Sequence, residues 1–320
     1  MLELLRVGIF KFVINGPKGL DLPSYHGSTL RGAFGHAFKQ IACVDSKRAS
    51  CHECEIEIHC PYAYVFETTS NSKENGWMGA YDDVPRPFMF VPQLEGKTYI
   101  EPNEELEIEV RLFGKGIEYL PYFVLAFNQM GEQGLGYQRK KYNLKRVISV
   151  NPVLRTEQLV YEGEQNKIFA PKNVLTGSSI FAVLPEEARQ IRVNYLTPLR
   201  IKEQGRLVQT IEFSYLLRSL VRRASALLLF HHGIKLELNF GELIERSQAV
   251  KRVKDFSQWY EFERYSNRQE QRLKLGGVIG DVTYEGDLGE FIPLLEFGRW
   301  SGAGKNNVFG LGQMEYMVYI

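Results

Sequence analysis

Two hydrophobic periodicities alternate along this chain in a fixed order, and that order restricts the folds open to it. Leu5, Val7, Ile9 and Val13 recur at a strand period over Leu4–Ile14. A helix-period stripe follows: Leu30, Ala33, Phe34, Ala37, Phe38 and Ile41, with Ser28 or Thr29 as cap and an end near Ala42. Leu106, Ile108 and Val110 alternate again, Pro121–Met130 reads as a second helix, and Asn143–Val150 as a closing strand. The order is βαββαβ, a ferredoxin-like unit.

The polar, irregular stretch Asn151–Lys172 predicts a boundary, giving domains over 1–155 and 165–320. Beyond it, Ile191–Lys202 reads as a strand, and about Thr210 to His231 as the clearest helix of the chain. Its stripe runs through Phe213, Leu216, Leu217, Leu220, Val221, Ala224, Leu227 and Leu228, leaving Arg218, Arg222 and Arg223 off it. Gly277–Tyr284, a short helix over Leu288–Phe297 and a final strand Gln313–Ile320 complete a second unit. The chain has 320 residues, room for about two domains at roughly 150 residues each. An apolar fraction of 44% and a charged fraction of 24% argue against a disordered or fibrous chain. Glu3, Arg6 and Lys11 interrupt any signal-peptide core, and no apolar run approaches the ~18 residues of a membrane span. A cytoplasmic location with no membrane partner is expected.

Near the C-terminus lies Gly302-Ala-Gly304-Lys305-Asn-Asn-Val-Phe-Gly310-Leu-Gly312. Paired glycines permit positive φ and close backbone approach. Exposed N–H groups in such a concavity bind anions, and Lys305 adds a mobile charge, so phosphate is the expected guest. The spacing argues against a nucleotide-triphosphate loop. Counting from Gly298, five residues rather than four precede Gly304-Lys305, and Asn306 stands where Ser or Thr is needed.

This loop resembles the glycine-rich loop of the CRISPR-associated RAMP superfamily. An ordered set of further motifs resembles its repeat-processing endoribonuclease branch. These are Leu30-Arg-Gly-Ala-Phe-Gly-His36, a cysteine cluster with Cys60-Pro-Tyr, Arg264-Tyr-Ser-Asn-Arg268-Gln, Gly276-Gly-Val-Ile-Gly280, Tyr284-x-Gly286-Asp-Leu and Pro293-Leu-Leu. The resemblance spans nearly the whole chain. It implies an α+β fold of two tandem ferredoxin-like domains, with the cysteine-rich insertion at about 43–60 in the first and the glycine-rich loop 302–312 in the second. It implies an endoribonuclease that cuts CRISPR repeat RNA without a metal, the substrate 2′-OH attacking to leave a 2′,3′-cyclic phosphate and a 5′-OH. The alternative it leaves open is a non-cleaving RNA-binding subunit of a CRISPR effector complex; other effector subunits are implied as partners.

Net charge is only +1, so charge distribution matters more than the sum. Gln138–Arg146 holds five basic residues and no acid, and Arg264, Arg268, Arg272 and Lys274 recur past Tyr265. Basic residues interleaved with aromatics suit an RNA strand whose phosphates are neutralised and whose bases stack; a solvated face is the plainer alternative. Arg139, Lys140, Lys141, Arg264 and Arg268 are the expected phosphate contacts, with Tyr142 or Tyr265 stacking a base. The loop residues Gly302, Gly304, Lys305, Gly310 and Gly312 would cradle the backbone.

Cutting RNA by its own 2′-OH requires a base, an acid and a cation to hold developing charge. Among six histidines, His36 lies off the apolar stripe, one turn before Lys39 and one after Gly32. It reads as general acid or base, with His26, Tyr25 and Lys39 assisting; an ordinary surface histidine is the alternative. Cys43, Cys51, Cys54 and Cys60 fall within eighteen residues, and Cys51-x-x-Cys54 is a tight ligand pair. They suit a structural tetrahedral zinc, with His52 and His59 as spare ligands, or else stand as free thiols. No cofactor is expected for catalysis.

Overall fold

The computed structural model describes residues 2–47, 50–51, 54–68, 84–266 and 271–319, the side chains of 264–266 and 271–273 apart. The chain divides into two compact units. One comprises Leu5–Thr176 with Ala226–Ile234; the other comprises Gly177–Ser225 and Lys235–Ile320 with Met1–Leu4.

The first unit is built from β1 (Arg6–Asn15), α1 (Gly27–Ala42), β2 (Phe88–Phe90), β3 (Glu105–Phe113), α2 (Leu120–Gln133) and β4 (Asn143–Asn151). The strands lie in the order β2-β3-β1-β4, all antiparallel, as βαββαβ connectivity requires. β1 is the centre, running Val7 opposite Phe113 to Asn15 opposite Glu105 on one side and pairing with β4 on the other. The helices seal an aromatic core. Phe34 of α1 stacks on Phe123 of α2 at 4.6 Å and meets Phe88 and Phe90 at 5.4 and 5.7 Å, while Phe12 of β1 stacks on Phe127 at 4.1 Å. Burying each such ring is worth about 1.5–3 kcal/mol.

Three expectations need correction. The cap of α1 is His26, with no side-chain cap hydrogen bond, so Ser28 and Thr29 do not serve. The stretch read as an irregular linker contains β5 (Thr156–Glu162), which pairs with β4 from Arg146 opposite Glu162 to Asn151 opposite Thr156. Its short TEQLVYE pattern shows little alternation, yet Val160 and Tyr161 are buried. The first unit accordingly runs on to Thr176, and Met1–Leu4 group with the second.

The second unit repeats the plan with β6 (Gln190–Leu199), the part of α3 (Phe213–His232) up to Ser225, β7 (Lys251–Asp255), β8 (Gln258–Ser266), β9 (Gln271–Glu285), α4 (Ile292–Ser301) and β10 (Met314–Tyr319), the rest of α3 grouping with the first unit. Both β7 and β8 pair with the long β9, which pairs with β6, which pairs with β10. The predicted stripe of α3 is its buried face. α2 and α4 are also built alike. Each has a proline in its first turn, where the missing N–H has no intrahelical partner to lose. Each ends on a glycine at positive φ, Gly134 at +83° and Gly302 at +75°.

Candidate RNA-cleavage site

α1 buries Leu30, Phe34, Gly35, Ala37 and Phe38 and leaves His36 exposed on the opposite side. The two glycines flanking that face differ. A Cβ on Gly35 would strike the Phe66 ring, so this glycine serves packing; a Cβ on Gly32 would meet nothing within 4 Å. His36 is held by a relay of amides. Gln40 Nε2, one turn on, donates to His36 Nε2 at 3.1 Å, and Gln133 Nε2 at the end of α2 donates to Gln40 Oε1. An amide NH2 can only donate, so in this pairing Nε2 is the accepting nitrogen. Lys39 sits half-buried with its Nζ 5.8 Å from the Tyr62 ring centroid, and the Tyr62 hydroxyl donates to Glu67 at 3.0 Å.

Tyr25 and His26 are only 5% and 8% exposed, correcting the expectation that they face a substrate. Burial drives the Tyr25 phenol well above its ordinary pKa, so it is a poor base. His26 Nε2–H donates to the Lys97 carbonyl at 3.0 Å; burial pushes its pKa down, against that carbonyl's opposing pull. Both residues brace the entry to α1.

The basic segment after α2 sorts itself in the same way. Tyr142 is 4% exposed and its hydroxyl donates to the Phe127 carbonyl at 2.7 Å, so no base can stack on it. Lys140 pairs with Asp21 at 2.6 Å and lies 5.4 Å from the Tyr99 ring, which withdraws it from phosphate duty. Arg139 and Lys141 are exposed, and between them and α2 stands Tyr137, 97% exposed. The sequence reading passed over Tyr137, Gln40 and Gln133. The available signals were the Gly134-Leu-Gly136 step before Tyr137 and the i, i+4 spacing of His36 and Gln40.

The glycine-rich loop corrects a larger expectation. Several of its amides already have partners within the protein. Gly302 N donates to Gly298 O, Ala303 N to Gly312 O, Gly304 N to Ser219 Oγ, Lys305 N to Arg200 O and Gly310 N to Asn307 O. Asn307, buried, ties the loop across itself by donating to the Ala303 and Leu311 carbonyls at 2.9 and 3.0 Å. Gly302, Gly304, Gly310 and Gly312 all take positive φ, and a Cβ on Gly312 would strike the Ala303 carbonyl. These glycines close the loop on itself and leave Lys305 exposed as its outward cation. In β8, Arg264 is placed by backbone pairing opposite Leu273, and Arg268 lies outside the described residues.

Cys43 caps the end of α1; Cys54 N donates to Cys51 O in a tight turn; Cys60 is buried with its thiol 3.9 Å from the Ala42 carbonyl. Burial, then the charges of Glu67, Cys60 and Cys43, push the Cys51 thiol up to about 11, so these groups share one neighbourhood. All four are free thiols, and no three His, Cys, Asp or Glu among the described residues stand as a ready-made metal site. His52 lies outside the described residues.

Comparison with known proteins fits this geometry. Residues 5–173 match the family described as AF_1859_N, N-terminal domain, and residues 193–314 match CRISPR-associated endoribonuclease Cas6. An uncharacterized protein of Archaeoglobus fulgidus is 26% identical over 297 residues, 91% of each chain. A solved Cas6 product complex has the same fold at a TM-score of 0.60 and 13% identity, over 97% of this chain and 100% of that one. Cas6 of Thermus thermophilus matches at 0.56 and 13% identity, over 98% and 99%. The class is that of CRISPR-associated endoribonucleases that process repeat RNA. The chain belongs to the family of the AF_1859_N N-terminal domain, which spans residues 5–173, and it carries a CRISPR-associated Cas6 endoribonuclease domain over residues 193–314.

Proposed function

We propose that this protein cuts CRISPR repeat RNA at His36 without a catalytic metal. The observation that carries the reading is an exposed imidazole on α1 whose Nε2 is fixed as an acceptor by Gln40, in a chain that carries a Cas6 endoribonuclease domain. The substrate 2′-oxygen bonds to phosphorus as the P–O5′ bond breaks; one proton leaves the 2′-OH and another reaches the departing 5′-oxygen. The products are a 2′,3′-cyclic phosphate and a 5′-OH. His36 performs one of these transfers, and the nearby Lys39 supports the phosphoryl charge. Lys305, Arg139, Lys141, Arg264 and Arg268 bind the RNA backbone, and other CRISPR proteins are its partners.

Repeat RNA incubated in EDTA tests this. Cleavage is expected, with cyclic-phosphate ends, and a 2′-deoxy nucleotide at the cut abolishes it. A His36→Ala protein that cuts normally sinks the site assignment; a wild-type protein that binds and never cuts makes it a non-cleaving subunit. The same proposal includes a structural zinc on Cys43, Cys51, Cys54 and Cys60, supported by their shared neighbourhood and the affinity of thiolates for zinc. Purified protein carrying no zinc by metal analysis, and gaining no thermal stability when zinc is added, removes it.

A further inference from the structure

The loop between α2 and β4 carries an aromatic ring that the fold does not use. Tyr137 is 97% exposed and, among the described residues, has no hydrogen bond, ion pair or ring contact. The backbone beneath it is nevertheless braced. Gly134 and Gly136 take φ of +83° and +78°, where a Cβ would strike the Arg139 and Asp21 carbonyls respectively. Leu135 N donates to Lys140 O at 2.9 Å, Arg139 N to Gly136 O at 3.3 Å, and Lys140 is anchored to Asp21. A ring on a braced loop loses little freedom when it is covered, which favours binding. Arg139 and Lys141, both exposed, supply cations beside it.

The loop is also tied to the cleavage residue. Gln133, whose amide reaches Gln40 and through it His36, immediately precedes Gly134. Tyr137 follows four residues later, at most about 14 Å away by chain length. A large apolar face, flanking cations and nearness to a phosphodiester cut fit one occupant, an unpaired base of the same RNA strand.

We propose that Tyr137 is a stacking platform for a base of the RNA cut at His36, with Arg139 and Lys141 on the phosphates flanking that base. This rests on the reading of His36 as the cleavage residue. The probe is repeat RNA from the chain's own CRISPR array, blocked by a 2′-deoxy nucleotide at the mapped cut, together with copies each carrying one abasic position. Tyr137→Ala weakens binding of the blocked RNA about tenfold, within the range of base–aromatic stacking, while Tyr137→Phe and Tyr137→Trp retain it. One abasic position costs the wild type the same factor and costs Tyr137→Ala nothing more. The thermal melt of Tyr137→Ala matches wild type, because the ring packs against nothing. Wild-type binding by Tyr137→Ala overturns the proposal, as does a set of abasic RNAs that all weaken both proteins equally. His36→Ala is expected to bind as wild type and not to cut. If it cuts normally, the catalytic reading fails and the strand is no longer placed at His36, whereas the binding data decide the stack separately.

Discussion

The two units each place a Gly-Leu-Gly step between a helix and the strand that follows it, Gly134–Gly136 between α2 and β4 and Gly310–Gly312 between α4 and β10. All four glycines take positive φ, between +74° and +85°. The tripeptides nevertheless do opposite things. In the second unit the loop folds inward, its amides answered by Gly298, Gly312, Ser219 and Arg200 and its middle tied by Asn307. In the first, the step is a pedestal that lifts Tyr137 out of the fold and leaves Arg139 and Lys141 in solvent. Glycine spacing tells only that a backbone can turn sharply. Whether the turn offers itself to a ligand depends on which neighbours have already taken its donors.

Breaking the closed loop should give the largest effect. Asn307→Ala leaves two carbonyls of a buried loop without their donor, and we expect a loss of roughly 2–4 kcal/mol in denaturant unfolding of the second unit. Gly312→Ala should be at least as damaging, because a Cβ there meets backbone and the φ is strained. If both variants keep wild-type stability and lose RNA binding instead, the loop is an amide cradle after all. On the open side, Tyr142→Phe should lower stability of the first unit by about 1 kcal/mol through the lost bond to Phe127. A smaller effect, read in RNA affinity, is expected at Lys305. Replacing it with Ala should reduce the slope of log affinity against log salt by about 0.7 without moving the melt. An unchanged slope would remove Lys305 from the interface.

The units should also part in mild acid. All six histidines fall in the first unit and none in the second. Burial holds the pKa of both His26 and His232 below the ordinary value. Unfolding lets them take up protons, so the stability of the first unit falls as pH drops below about 6.5 and levels off beneath their folded pKa values. Unfolding of each unit followed from neutral pH to about pH 5 should show the first weakening ahead of the second. Replacing His26 with Gln should flatten that slope.

Much of the fold was legible because periodicity is written locally. The stripe of α3, the alternation of β3 and the aromatic face of α1 each follow from residues a few positions apart. β5 was missed because TEQLVYE has no clean alternation, and its strand state comes from pairing with β4. The candidate site was legible only in outline. His36 stood out because it lies off the stripe of α1. Tyr25, His26, Tyr142 and Lys140 look no different in sequence from groups that face solvent. Burial withdraws Tyr25, and Lys97, Phe127 and Asp21, residues remote in the chain, withdraw the other three.

By itself, then, the sequence determined the order of strands and helices, the helix faces, the positions where the backbone must turn and the family motifs. All of these are set by the identity and spacing of nearby residues. Tertiary structure decided which polar groups remain available. Long-range packing set Ser219 and Arg200 against the Gly304 and Lys305 amides, buried Tyr142 while exposing Tyr137, and brought Gln133 across to Gln40 and His36. Availability of a donor, a ring or a charge is what remains once every other part of the fold has taken its share, and no local window contains that information.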